Sequence, residues 1–133
     1  MEDRYLFRAK RIDNGEWVQG ALFNGESHCI IGQEIKFSPY TEHECKIVGY
    51  EVERDTICQC TGLKDRNGKL IWENEIIKCK FVIAVAVWDK SEWRIKWVKD
   101  NIWRKDLHYW TVENSEGAEV IGNIFDNPEL LEA

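Results

Sequence analysis

Proline is scarce in this chain, with 2 in 133 residues; there is no Cys-x-x-Cys pair, and no apolar run is longer than the stretch from Phe81 to Trp88. Each shortage excludes something. A chain with 44% apolar and 32% charged residues and no low-complexity tract is neither fibrous nor disordered. An apolar run of that length falls far short of the roughly 20 residues a membrane-spanning helix requires, so no membrane partner is expected. The first residues interleave Glu2, Asp3, Arg4, Arg8, Lys10 and Arg11 with isolated apolar positions, which leaves no apolar stretch for a secretory signal. A cytoplasmic location is the default expectation.

The 5 cysteines agree with a reducing compartment. An odd number cannot all pair within one chain, and Cys58 and Cys60, two apart, lie on one face of a strand and are poorly placed to bridge each other. His28 with Cys29 and His43 with Cys45 are the His/Cys groups a zinc ion would use. Structural zinc sites draw on closely spaced cysteine pairs, so no metal is expected. The catalytic search is equally thin. His28, His43 and His108 stand outside any Gly-x-Ser-x-Gly, His-Glu-x-x-His or glycine-rich phosphate loop, and Glu73 with Glu75 reads as solvated surface. No catalytic residue, no cofactor and no enzymatic activity are expected.

A formal net charge of −6 weighs against a general phosphate-binding surface. One stripe runs against the average: Arg94, Lys96 and Lys99 surround Trp93 and Trp97, and Arg104 and Lys105 follow Trp103, the mixture of basic and aromatic residues that single-strand binders use. Strict alternation in Trp93–Val98 instead puts Trp93, Ile95 and Trp97 on one face and Arg94 and Lys96 on the other, as in a half-buried strand. Nucleic acid is not the expected partner, but stays as the alternative.

Read along its length, the chain is mainly β. Asn14-Gly15, Asn24-Gly25 and Asn67-Gly68 are turn signals in which the residues tolerate positive φ. Strands are expected over Tyr5–Ile12, Trp17–Phe23, Cys29–Ile31, Lys46–Glu53, Thr56–Cys60, Ile76–Cys79, Phe81–Trp88, Trp93–Val98, Leu107–Val112 and Val120–Ile124. Gln33 to His43, with Pro39, reads as a loop or an edge, and Ile102–Asp106 as a turn of helix or loop. A short C-terminal helix is expected, capped by Asp126 or Asn127 and started by Pro128. Seven tryptophans exceed what small cores hide, so two or three should be partly exposed, either covering the end of a fold or forming a partner-binding patch.

Three phrases carry a resemblance. Thr61-Gly62-Leu63-Lys64-Asp65-Arg66-Asn67-Gly68, with Trp72-Glu73-Asn74-Glu75 running into Ile76-Ile77, is the densest; Gly15-Glu16-Trp17-Val18-Gln19-Gly20-Ala21-Leu22 precedes it and Val120-Ile121-Gly122-Asn123-Ile124 closes the chain. Together they resemble YopX-like proteins, a family carried mainly by phages and prophages, without an assigned biochemical activity. The resemblance implies an SH3-like barrel in residues 56–133 behind an N-terminal β subdomain over 1–55, and the cytoplasm of a host cell. Glu73-Asn74-Glu75 stands where the family has Glu-Gly-Asp, and Asn tolerates left-handed φ best among non-glycine residues. Arg54 stands where the family often has proline. The leading expectation is a non-enzymatic phage or prophage accessory protein that binds a protein, with self-association through a tryptophan-bearing surface also open; a nucleic-acid-binding module is the alternative, and an enzyme comes third.

Overall fold

Where the patterning is clearest, apolar side chains alternate inward with polar ones outward, as at Trp93 and Ile95 on either side of Arg94. The computed structural model describes residues 5–36, 45–79, 82–89, 92–97, 104–106 and 117–132. Contacts divide the chain into two units, Met1–Gln59 and Cys60–Ala133. The division therefore falls inside a strand, slightly beyond the boundary at 55/56 expected from the sequence.

In the first unit, β1 (Phe7–Lys10), β2 (Trp17–Asn24), β3 (Cys29–Lys36) and β4 (Cys45–Glu51) form an antiparallel meander, and β5 (Cys58–Lys64) begins beside β1. β2 serves two ladders: Trp17 to Gly20 pair with β1, and Ala21 to Asn24 pair with β3. The change of partner occurs at Gly20, where any Cβ would collide with the Gly32 carbonyl oxygen, so only glycine lets the strand bend so sharply. After β4 the chain returns to its start. Arg11 bridges Val52, Ile12 donates its N–H to the Glu51 carbonyl at 3.0 Å, and a 3₁₀ turn at Arg54–Thr56 leads into β5. Ala9, Cys29, Ile31 and Val52 form the core of this unit, with Phe7, Val18, Leu22 and Ile57 packed on it.

The second unit pairs the end of β5 with β6 (Leu70–Trp72) and sets a separate antiparallel sheet beside it, made of β7 (Glu75–Cys79), β8 (Val82–Asp89), β9 (Glu92–Trp97), β10 (Arg104–Asp106) and β11 (Glu119–Asn123) in the order β10-β9-β8-β7-β11. Ile71, Ile77, Ala84, Ala86, Ile95 and Ala118 are its buried centre.

Four expectations need correction. No closed barrel is found among the described residues: in 56–133 the five-stranded sheet ends at β10 and β11, and the β5–β6 ladder is not hydrogen-bonded to either. The segment from Gln33, expected as a loop or an edge, is up to Lys36 the second half of β3, paired with β4 and not a loop. Arg104–Asp106 is a strand against β9 and not a helical turn. The C-terminal helix is a single 3₁₀ turn, Pro128–Leu131, with no side-chain cap from Asn127, because the Asn127 Oδ1 accepts the Asn123 N–H instead. The expected strand at Leu107–Val112 lies outside the described residues.

Candidate binding surface

The motif residues are occupied with backbone. Thr61 donates its hydroxyl to the Ile71 carbonyl at 2.7 Å and accepts the Leu63 N–H. Asp65, 6% exposed, accepts the N–H groups of Asn67 and Lys69 on Oδ1 at 2.9 Å, and that of Val120 on Oδ2 at 3.0 Å. The Gly68 N–H reaches the Asp65 carbonyl, the Asp65 N–H reaches that of Lys69, and Gly68 has φ +81°. This is a type I turn closed by a glycine bulge, the three-residue hairpin loop that Asp at the first turn position favours. Asn74 holds φ +68°, as its replacement of glycine requires, and exchanges backbone bonds with Ala86 and Ile124. Glu75, read from the sequence as solvated, is 2% exposed, and its Oε1 accepts the Trp72 N–H at 2.7 Å. Thr61, Asp65 and Glu75 thus spend their side-chain oxygens on backbone groups of the turns they form.

The first unit offers something different. Register places Ala21 and Phe23 of β2, Ile30 and Gly32 of β3, and Ile47 and Gly49 of β4 on the face of the ladder opposite the buried Ile31. Phe23 is 63% exposed and Ile47 78% exposed. Gly32 and Gly49 make this face shallow. A Cβ on Gly49 would lie 2.9 Å from the Ile30 Cγ2, and one on Gly32 would lie 3.8 Å from the Ile47 Cγ2, so both isoleucines lean over bare backbone. Glu34 and Glu51 border the patch, and Glu51 meets His28 Nδ1 at 3.1 Å. Phe23 and Ile47 thus stand as large apolar side chains out in solvent on a strand face rimmed by carboxylates.

One turn beside this face is locked. The Arg54 guanidinium donates to the Asn24 Oδ1 at 2.8 Å and to the carbonyls of Gly25 at 2.7 Å and Glu26 at 3.1 Å, joining the 3₁₀ turn to the β2–β3 connection. Arg54, standing where the family often has proline, thus ties the turn down through its side chain.

Part of the stripe singled out in the sequence lies on β9 and β10. Arg94 is tied to Glu92 at 2.6 Å, while Trp93 and Ile95 turn toward the core of the second unit. Register puts Lys96 opposite Arg104 and Arg94 opposite Asp106. Lys99 lies outside the described residues. Among the tryptophans whose side chains are described, Trp72 is buried, Trp17 and Trp93 are half-buried, and Trp88 is 54% exposed, its ring edge-on to Trp93 with centroids 5.0 Å apart. Trp17 lies under two cations, with Arg8 Cζ 4.8 Å and Lys10 Nζ 5.5 Å from its ring centre. This is the aromatic–basic cluster the sequence reading passed over, and its signal was the alternation of Arg8 and Lys10 on β1. Cys29, Cys58 and Cys60 are buried thiols. Among the described residues no group of three or more His, Cys, Asp or Glu side chains is placed to hold a metal, and no helix is long and apolar enough to cross a membrane. His43 and His108 lie outside the described residues.

Comparison with known proteins adds three findings. The family described as YopX protein matches residues 6–132. Among solved structures, the crystal structure of protein EF1440 from Enterococcus faecalis is similar, with 27% identical residues and a TM-score of 0.55 over 94% of this chain and 96% of that one. No curated protein matches.

Proposed function

The chain belongs to the YopX protein family, and we propose that it is a non-enzymatic phage or prophage accessory protein which acts in the host cytoplasm by binding another protein. The observation that carries this is the β2–β3–β4 face, where Phe23 and Ile47 stand exposed beside the two glycines. A shape-only role for that face is disfavoured by cost: large apolar side chains left in water each forgo roughly 1.5–3 kcal/mol of burial. The polar motif atoms, bound into turns, support the absence of catalysis. The SH3-like arrangement belongs, on this account, to the first unit and not to residues 56–133. Its support is the β2 strand shared between two ladders at Gly20, the 3₁₀ turn between β4 and β5, and the return of β5 to β1.

Affinity capture from phage-infected host extract tests the proposal. Wild-type chain retains a discrete protein, and the Phe23→Ser/Ile47→Ser variant, with an unchanged melt, does not. A second proposal, a nucleic-acid-binding module, draws on Trp17 between Arg8 and Lys10. It requires salt-sensitive binding of single-stranded oligonucleotides that Arg8→Ala/Lys10→Ala removes.

A further inference from the structure

We infer that the outer edge of β4 is a self-association strand, on which β4 of a second copy of this chain pairs antiparallel. It goes beyond the foreign partner proposed above and concerns the edge strand of the same sheet. β4 ends its sheet, so among the described residues Cys45 to Tyr50 have no ladder partner on the side away from β3. Among the described residues only the end of the edge is taken: Ile12 donates to the Glu51 carbonyl and Arg11 bridges Val52. An edge strand exposes a row of backbone donors and acceptors, and proteins that keep such an edge single blunt it with proline, a bulge or several charges. β4 has no proline and no bulge, and its two charges, Lys46 and Glu51, stand near its ends. Its register against β3 runs without a shift from Ile30↔Glu51 to Lys36↔Cys45, and between Lys46 and Glu51 its side chains are uncharged, with Ile47 the most exposed.

The occupant follows from the order of residues in β4. In a two-fold antiparallel pair whose axis is perpendicular to the sheet, one residue must face its own copy, because opposed residues point to the same side. With Val48 on the axis, Ile47 faces Gly49 of the partner subunit, and Gly49 faces Ile47 of the partner subunit. Each large side chain then meets a bare position, twice over. Lys46 faces Tyr50 of the partner subunit and Glu51 faces Cys45 of the partner subunit, so no like charges are opposed. Moving the axis to Gly49 would set Ile47 against a carboxylate and leave the two glycines facing each other. Moving it to Ile47 would crowd two isoleucines on one point. The Val48 register also joins the two apolar faces into one continuous strip through Ile30 and Ile47.

Sedimentation equilibrium of the full chain, with two variants, tests this. The expected result is a species of twice the monomer mass whose dissociation constant rises at least tenfold for Ile47→Lys. Under mild oxidation Val48→Cys should give a disulfide-linked dimer on a non-reducing gel, whereas Glu34→Cys, one strand inward, and the wild-type chain should not. A monomer at every concentration, or a dimer indifferent to Ile47→Lys, overturns the inference, and the Val48→Cys crosslink decides it if Ile47→Lys fails to fold. The two proposals fail separately. A monomer that captures a host protein through Phe23 and Ile47 sinks the self-association alone; a dimer broken by Ile47→Lys that captures nothing supports it and sinks the foreign partner.

Discussion

Val120 donates its backbone N–H to the Oδ2 of Asp65 at 3.0 Å, across 55 residues of chain. The same carboxylate holds the hairpin loop through Asn67 and Lys69, and the Arg66 N–H reaches the Ala118 carbonyl alongside. One buried side chain thus closes a local turn and fastens β11 to it. Two of the three family phrases meet at this point, which explains in physical terms why they occur together.

Asp65→Ala should destabilise the protein by about 2–4 kcal/mol, because it strands three backbone donors where water is largely excluded. Asp65→Asn, which keeps an acceptor, should cost less. Chemical melts rank the two, and equal losses would mean that the cavity and not the hydrogen bonds sets the cost.

Gly68→Val should cost roughly 1–3 kcal/mol, and Lys64→Ala close to nothing. Nothing lies within 4 Å of a Cβ at Gly68, so the whole penalty comes from its φ of +81°. Gly25 is the contrast among the Asn-Gly pairs, since its φ is not positive while those of Gly15 and Gly68 are. A melt in which Gly68→Val behaves like Lys64→Ala would show that the bend needs no glycine.

Arg54→Ala should loosen the β2–β3 connection by about 0.5–1.5 kcal/mol, and Arg54→Lys should recover only part of it, since an ammonium cannot reproduce the planar fork that reaches three acceptors. Amide exchange at Gly25, whose N–H is donated to the His28 carbonyl, reports the loss locally. Unchanged protection there would show that the turn holds without the arginine.

Asp13 gives a small acid signature. The hydrogen bond from Arg11 holds its carboxyl below the ordinary value of 3.8, and the same bond raises the Arg11 pKa. A depressed folded pKa contributes stability that is present above the unfolded value and is lost as pH falls through the folded one. Asp13→Asn should therefore weaken the protein slightly near neutrality and not at all at the acid end, a small effect because the pair is exposed. Denaturation midpoints at about pH 7 and about pH 3 test it.

Much of the fold was legible in the sequence because its strands alternate and its turns are punctuated. β8 and β9, with the inward Trp93 and Ile95, follow directly from period-two patterning. The second half of β3 and all of β10 were not legible, since their hydrogen bonds come from partners distant in sequence and their own residues, such as Gln33-Glu34 or Arg104-Lys105, have weak strand preference. The candidate surface was hidden for a related reason. Ile30 and Ile31 are equivalent on paper, and only pairing with Leu22 turns Ile31 to the core and leaves Ile30 on the open face. Glu75 was misread because a carboxylate that caps a turn from inside looks, in sequence, like any surface acid.

The most direct test of the account sets two double variants side by side in the capture assay from phage-infected extract, alongside single-strand binding by fluorescence anisotropy at about 50 mM salt, where phosphate contacts are strongest. The account predicts that Phe23→Ser/Ile47→Ser loses the captured protein, that Arg94→Ala/Lys96→Ala keeps it, and that neither the wild type nor either variant binds oligonucleotide in the micromolar range. Micromolar oligonucleotide binding lost on changing Arg94 and Lys96, with no protein retained through Phe23 and Ile47, would contradict it.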